Sequence, residues 1–155
     1  MKDRGAYSLG IYLRSPIKVH VGALGASDFP LGHYIYAGSA LRGIRNRVAR
    51  HLRRVKRPHW HIDYLLASEE ARVMSVLTAE TDERIECKIA VSIGDLRGAR
   101  VILKGFGSSD CGNCRSHLYY FAFRQCPTLV NEIKEAYRGI GLEPRLIANI
   151  DANQH

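Results

Sequence analysis

The sequence predicts an α+β fold: a small, mostly antiparallel sheet of three or more strands flanked by helices. Three observations predict it. Residues 5–13 alternate, with Tyr7, Leu9, Ile11 and Leu13 on one face and Ser8 opposite, as a strand requires. The period changes over residues 41–55, where Ile44, Val48, Leu52 and Val55 recur at helical spacing. Both patterns lie in a 155-residue chain that no linker or low-complexity tract divides. One domain over 1–155 is therefore expected, with 95–155 as its C-terminal extension.

The elements follow in order. Pro16 ends the first strand. Lys18 to Leu24 alternates through Val19, Val21 and Ala23 and predicts a second strand, and "HYIYA" (33–37) a third, together an antiparallel meander. The helix over 41–55 takes Ser39 as a candidate N-cap and is broken by Pro58. "HWHIDYLLA" (His59–Ala67) predicts a short helix and "ARVMSVLTA" (Ala71–Ala79) a strand. Asp82 to Ile93 predicts a helix with Ile85, Ile89 and Ile93 on one face and Glu86 beside it. "ARVILKGFG" (Ala99–Gly107) and "HLYYFAF" (His117–Phe123) are strand candidates. A last helix runs from Thr128 to Arg138, ended by Gly139 or Gly141.

Charge narrows the function classes. The net charge is +8. Eight Lys/Arg residues and no acid lie between Arg42 and Arg57, an excess equal to the whole net charge. A concentrated basic face is the electrostatic footprint of a polyanion binder, and a solvated helix face is the simpler reading of it. Arg42, Arg45, Arg50, Arg53 and Arg54 are the candidate nucleic-acid contacts. No apolar run approaches the roughly 18 residues a membrane helix needs, so no membrane partner is expected. No secretory signal is visible, which makes a cytoplasmic location the expectation. The four cysteines should then be reduced, metal-bound or buried.

One stretch concentrates the chemistry. In "HYIYAGSALRGIRNRVARH" a strand ends at Tyr36-Ala37-Gly38 and a basic helix follows. A helix N-terminus offers N–H groups to an anion. Arg47 and His51 sit one turn apart on one helix face. A phenol, a guanidinium and an imidazole suit a phosphodiester: arginine holds phosphate bidentately, and tyrosine or histidine handles a proton. In "HWHIDY", His61 is a further candidate site residue, with Asp63 able to orient it or to meet a metal. Core-edge aromatics and a hydrogen-bonded histidine are the simpler readings of these residues taken singly.

The pattern resembles the GIY-YIG nuclease superfamily, in which Gly-x-Tyr opens the first strand, Tyr-x-Gly ends a later one, and a helix with Arg and His follows. The matching residues are Gly5-Ala6-Tyr7, Tyr36-Ala37-Gly38, Arg47 and His51. "GAYSL", "YIYAGSA", "RVARHLR", "HWHIDYLL" and "GFGSSDCGNCRSHLYYF" are similar to the Uri-like branch, where the two tyrosine motifs are also far apart. The resemblance implies a GIY-YIG-like core and a metal-dependent endonuclease cleaving nucleic acid, DNA in the first instance and repair-type in character. It implies Tyr7 as general base, Tyr36 orienting nucleophile or phosphate, Arg47 stabilising the pentacovalent phosphate and His51 assisting proton transfer. Glu86 would hold a single Mg²⁺ or Mn²⁺, since Mg²⁺ tolerates one carboxylate with several waters. The alternative is a non-catalytic nucleic-acid-binding module that uses the basic helix 42–57.

Gly10-Ile11-Tyr12 spells the motif more literally. Tyr12, however, has the opposite parity to Tyr7 and points to the other sheet face. Cys111-x-x-Cys114 followed by His117 is half of a zinc site, with Cys87, Cys126, His59 or Asp110 as the candidate fourth ligand. Buried structural thiols are the simpler reading, and a zinc- or thiol-dependent regulatory domain is a third function class.

Overall fold

Strand β1 (Gly5–Leu13) is buried along nearly its whole length, on both faces. Small residues on the Ser8 side make that burial feasible, and the strand accordingly lies at the centre of a sheet. The computed structural model describes residues 3–54, 56–108, 114–122 and 126–149. Within them the chain continues through β2 (Ile17–His20), β3 (Ala26–Phe29), β4 (Gly32–Ala40), α1 (Ile44–Leu52) and α2 (His61–Leu66). It ends with β5 (Ala71–Glu80), α3 (Glu86–Gly94), β6 (Leu118–Phe121), α4 (Cys126–Gly139) and β7 (Arg145–Asn149). The main sheet has the order β6-β4-β1-β5-β7, every pairing antiparallel, and β2 and β3 form a separate two-stranded sheet. The fold is α+β, as the sequence predicts.

Strand alternation sorts the side chains into two cores. Tyr7, Leu9, Ile11 and Leu13 join Tyr34 and Tyr36 beneath Ile44, Val48, Ile62 and Leu65 of α1 and α2. Ala6, Ile35, Ala37, Leu77 and Ala79 pack on the other face against Ile85, just before α3, and against Ile89, Ile93, Leu129 and Ile133 of α3 and α4. Ser8, buried on that second face, hydrogen-bonds the Tyr137 hydroxyl of α4. A polar residue in a two-sided strand is thus satisfied across the sheet interior, not by solvent.

Four sequence expectations are corrected. Residues 5–37 are not a meander. β1 pairs directly with β4, from Leu13 opposite Gly32 to Gly5 opposite Ala40, and the predicted second strand stops at His20. Gly22–Leu24 is a 3₁₀ turn that folds β2 back onto β3, because Val21 N–H bonds the Gly25 carbonyl and closes the loop. This side excursion accounts for the long separation of Tyr7 and Tyr36 in sequence. Second, α1 starts at Ile44, and Ser39 is a β4 residue. Asp3 caps the helix from a distance: its carbonyl accepts from Ile44 N and its carboxylate from Arg45 N. The buried stripe is Ile44, Val48 and His51, whereas Leu52 is 43% exposed and Val55 lies outside the described residues. Third, α3 begins at Glu86, so that residue occupies its first turn. Fourth, residues 99–107 form no strand. Gly98, Gly105 and Gly107, all at positive φ, turn the backbone, and only Arg100 bridges to Tyr120.

Candidate functional site

Parity decides between the two Gly-x-Tyr sequences. Tyr12 stacks near His33 at a 4.9 Å centroid distance, on the face away from α1. Tyr7 lies under α1, with its hydroxyl 2.7 Å from His51 Nε2 and its ring centroid 6.4 Å from that of Tyr36. Gly10 has its own explanation: a side chain there would collide with the Ser75 hydroxyl beside a register shift in the β1–β5 pairing.

The second motif glycine has a steric role. Gly38 stands opposite Tyr7 in the β1–β4 ladder, and a Cβ on it would penetrate the phenol ring. Only glycine lets the Tyr7 ring lie across β4 toward His51. Gly38→Ala is expected to cost about 1–3 kcal/mol by overpacking. A urea midpoint equal to wild type would show that the ring does not need this clearance.

Three chain segments therefore converge on one sheet face. β1 contributes Tyr7, β4 contributes Tyr36, and α1 contributes Arg47 and His51. Arg47 donates from Nη1 to the Ser39 carbonyl at 3.0 Å, places its charge beside Tyr7 and lies 4.3 Å from the Trp60 ring centroid. Arg50 lies 4.5 Å from the same ring. Both guanidiniums lie within cation–π distance of the one indole, an arrangement that fixes both arginines.

Burial sets the protonation states. Burial pushes the Tyr7 phenol up to about 12, with Arg47 opposing it without prevailing. Burial likewise holds Tyr36 well above the usual phenol range, and the neighbouring Tyr7 adds to this. Arg47 alone thus leaves Tyr7 protonated. His51 is held down to about 4, first by burial, with Asp63 pulling the other way and Lys56, Arg47 and Arg50 pushing further down. At neutral pH its Nε2 accordingly accepts from the Tyr7 hydroxyl, and the ring proton sits on Nδ1. That Nδ1 is 4.0 Å from Asp63 Oδ1 and has no hydrogen-bond partner among the described residues.

Asp63 belongs to Arg50 rather than to His61. It accepts two 2.9 Å bonds from the Arg50 guanidinium and backbone bonds from His59 N and Trp60 N. Burial opposes its ionisation most strongly, yet those four bonds together keep its pKa below the usual carboxylate value. Arg50 consequently turns inward, while Arg42, Arg45, Arg53 and Arg54 are exposed. His61 joins neither group by a hydrogen bond. Its Nδ1 accepts from Gly107 N at 2.8 Å, and its ring borders Phe106, which in turn borders Tyr36.

Glu86, at the start of α3, raises the pKa of both Tyr7 and Tyr36 through its charge. Its Oε2 is buried without a hydrogen-bond partner among the described residues. A buried carboxylate oxygen left in that state is what a cation ligand needs. Cys87, Cys114 and His117 form a second group that could hold a metal ion. Cys111 lies outside the described residues. Sequence reasoning missed Ser39 as the anchor of Arg47, Trp60 as the ring that Arg47 and Arg50 share, and the Arg50–Asp63 pair. The basic run adjoining a Trp and an Asp was the available signal.

This is an α+β domain with a tyrosine–histidine–arginine cluster under its basic helix. The chain belongs to the family described as domain of unknown function DUF123, whose match spans residues 6–142 and so includes every residue of the cluster. No curated protein and no solved structure matches it. Among the described residues no helix is long and apolar enough to cross a membrane.

Proposed function

We propose that this domain is a GIY-YIG-type endonuclease that hydrolyses phosphodiester bonds in nucleic acid, DNA in the first instance. The observation that carries the reading is the 2.7 Å bond from the Tyr7 hydroxyl to a neutral His51, with Tyr36 and Arg47 against the same phenol. A phenol with a pKa near 12 does not serve as a free phenolate at pH 7. The chain's own groups support a relay instead. Water gives a proton to the Tyr7 oxygen while the phenol proton passes to His51 Nε2, so no phenolate forms. Tyr36 orients the nucleophile or phosphate, and Arg47, fixed by Ser39 and Trp60, faces the charge that gathers on phosphorus. Glu86 is the residue to hold Mg²⁺ or Mn²⁺, which supplies Lewis-acid stabilisation of the phosphate oxygens. Arg42, Arg45, Arg53 and Arg54 contact the flanking backbone.

The test is a cleavage panel over branched, single-stranded and duplex substrates with Mg²⁺ or Mn²⁺. Tyr7→Phe, Arg47→Ala and Glu86→Ala are each expected to lower cleavage by about a hundredfold or more. Undiminished cleavage in all three variants overturns the proposal. A second reading is a nucleic-acid-binding module without chemistry, and it is favoured by one observation: Tyr7 and Tyr36 are only 1% and 6% exposed. That reading expects salt-sensitive binding that weakens when the exposed arginines are removed, with no metal-dependent nicking.

A further inference from the structure

We infer that Cys87, Cys114 and His117 form a binding site for a thiophilic divalent cation of the zinc class. His117 Nε2 lies 3.1 Å from Cys114 Sγ and 3.5 Å from Cys87 Sγ, and the three ligand atoms are all within 4.8 Å of one another. A tetrahedral zinc with bonds of about 2.3 Å to sulfur and about 2.05 Å to nitrogen sets neighbouring S and N atoms roughly 3.6 Å apart. The trio already has nearly that spacing. Two sulfurs and an imidazole are soft donors that select zinc over Mg²⁺. An exchangeable water can complete the coordination.

The supporting frame is built. The His117 backbone is held on both sides, its N–H on the Phe106 carbonyl and its carbonyl on Ala37 N–H. Cys87 is the second residue of α3. A cation here ties α3 to the approach of β6 and, through Ala37, to the end of β4 that carries Tyr36. Gly107 sits between: a Cβ on it would lie 3.1 Å from His117 Cβ and 3.2 Å from Tyr36 Cε1. Its N–H also holds His61. The cation therefore braces the wall of the tyrosine cluster without entering it.

Cys87 is disulfide-bonded in the structure, while Cys114 retains its thiol. The site opens on reduction. A dithiol reductant passes two electrons to the disulfide and becomes a disulfide itself, leaving the Cys87 thiol and its partner's thiol. Binding of the cation then releases the Cys87 and Cys114 protons as both become thiolates. A small-molecule disulfide takes the two electrons back and leaves as two thiols, so that the Cys87 disulfide re-forms, Cys114 takes up a proton and the cation is released.

Cobalt(II) titration of the phosphine-reduced full chain tests this. The expected result is one cation per chain, with an intense thiolate-to-cobalt charge-transfer band and a tetrahedral d–d band. Zinc should abolish both bands and a large excess of Mg²⁺ should leave them. Cys114→Ser and His117→Asn should each lose the tetrahedral spectrum. Zinc at about 100 times its Kd should raise Tm by roughly 5–10 °C. Wild-type protein gives a readout that needs no variant: zinc should slow iodoacetamide labelling of Cys87 and Cys114. Absence of the charge-transfer band in reduced protein, survival of the tetrahedral spectrum in both variants, or unchanged labelling rates overturns the inference. None of these readouts depends on cleavage, so they stand apart from the nuclease reading.

Discussion

Asp63→Ala is expected to lower stability by about 3–5 kcal/mol at pH 7, with the partial exposure of Arg50 placing the value toward the lower end. The Asp63 carboxylate is fully buried, and the Arg50 side chain is 19% exposed. The substitution strands a mostly buried guanidinium and deprives His59 N and Trp60 N of their acceptor at once. It should also loosen the packing of Arg50 and Arg47 on the Trp60 ring, and so reach the tyrosine cluster without touching it. Urea unfolding measures the loss, and a change below about 1 kcal/mol would contradict the account. Arg50→Ala combined with Asp63→Ala should cost clearly less than the two single changes added together, because the second change removes the charge that the first leaves unpaired.

That pair marks the boundary of what the sequence alone reveals. β1 is legible from its alternation, and parity is enough to prefer Tyr7 over Tyr12, since both depend only on a period of two. Arg47 and His51 are legible as one helix face for the same kind of reason. Pairings across the chain are not. Asp3 capping α1 spans 42 residues of sequence and leaves no local signal, whereas Ser39 looks like a cap and is instead the carbonyl that anchors Arg47. The β2–β3 excursion reads as a second meander strand over Lys18–Leu24 because alternation says nothing about which strand is the partner. Glu86 comes to the first turn of α3 because the helix starts four residues later than Asp82 would suggest. Gly38 is recognisable as a motif glycine, but the reason for it, the Tyr7 ring lying across β4, needs the third dimension.

Acid should weaken the fold in a window that belongs to His51. Its pKa falls from an ordinary 6.5 to about 4 on folding, chiefly through burial. Between those values the unfolded chain binds a proton that the folded chain refuses. Stability is therefore complete above about pH 6.5, declines as pH falls toward about 4, and has no further His51 contribution below that. The total is on the order of 3 kcal/mol by linkage. Asp63, whose pKa is depressed below 3.8, acts in a separate and lower window, and its stabilisation is lost only as pH falls through that depressed value. Burial lowers His33, His61 and His117 in the same direction as His51, so the slope of the wild-type curve is not by itself diagnostic. His51→Gln is. It should flatten the dependence of the urea midpoint on pH between 6.5 and 4 while leaving the carboxylate-dependent fall below it. An unchanged slope in the variant would mean that His51 is protonated in the folded protein at mild acidity. The Tyr7 hydroxyl would then have no acceptor on Nε2, and the relay to that nitrogen would fail with it.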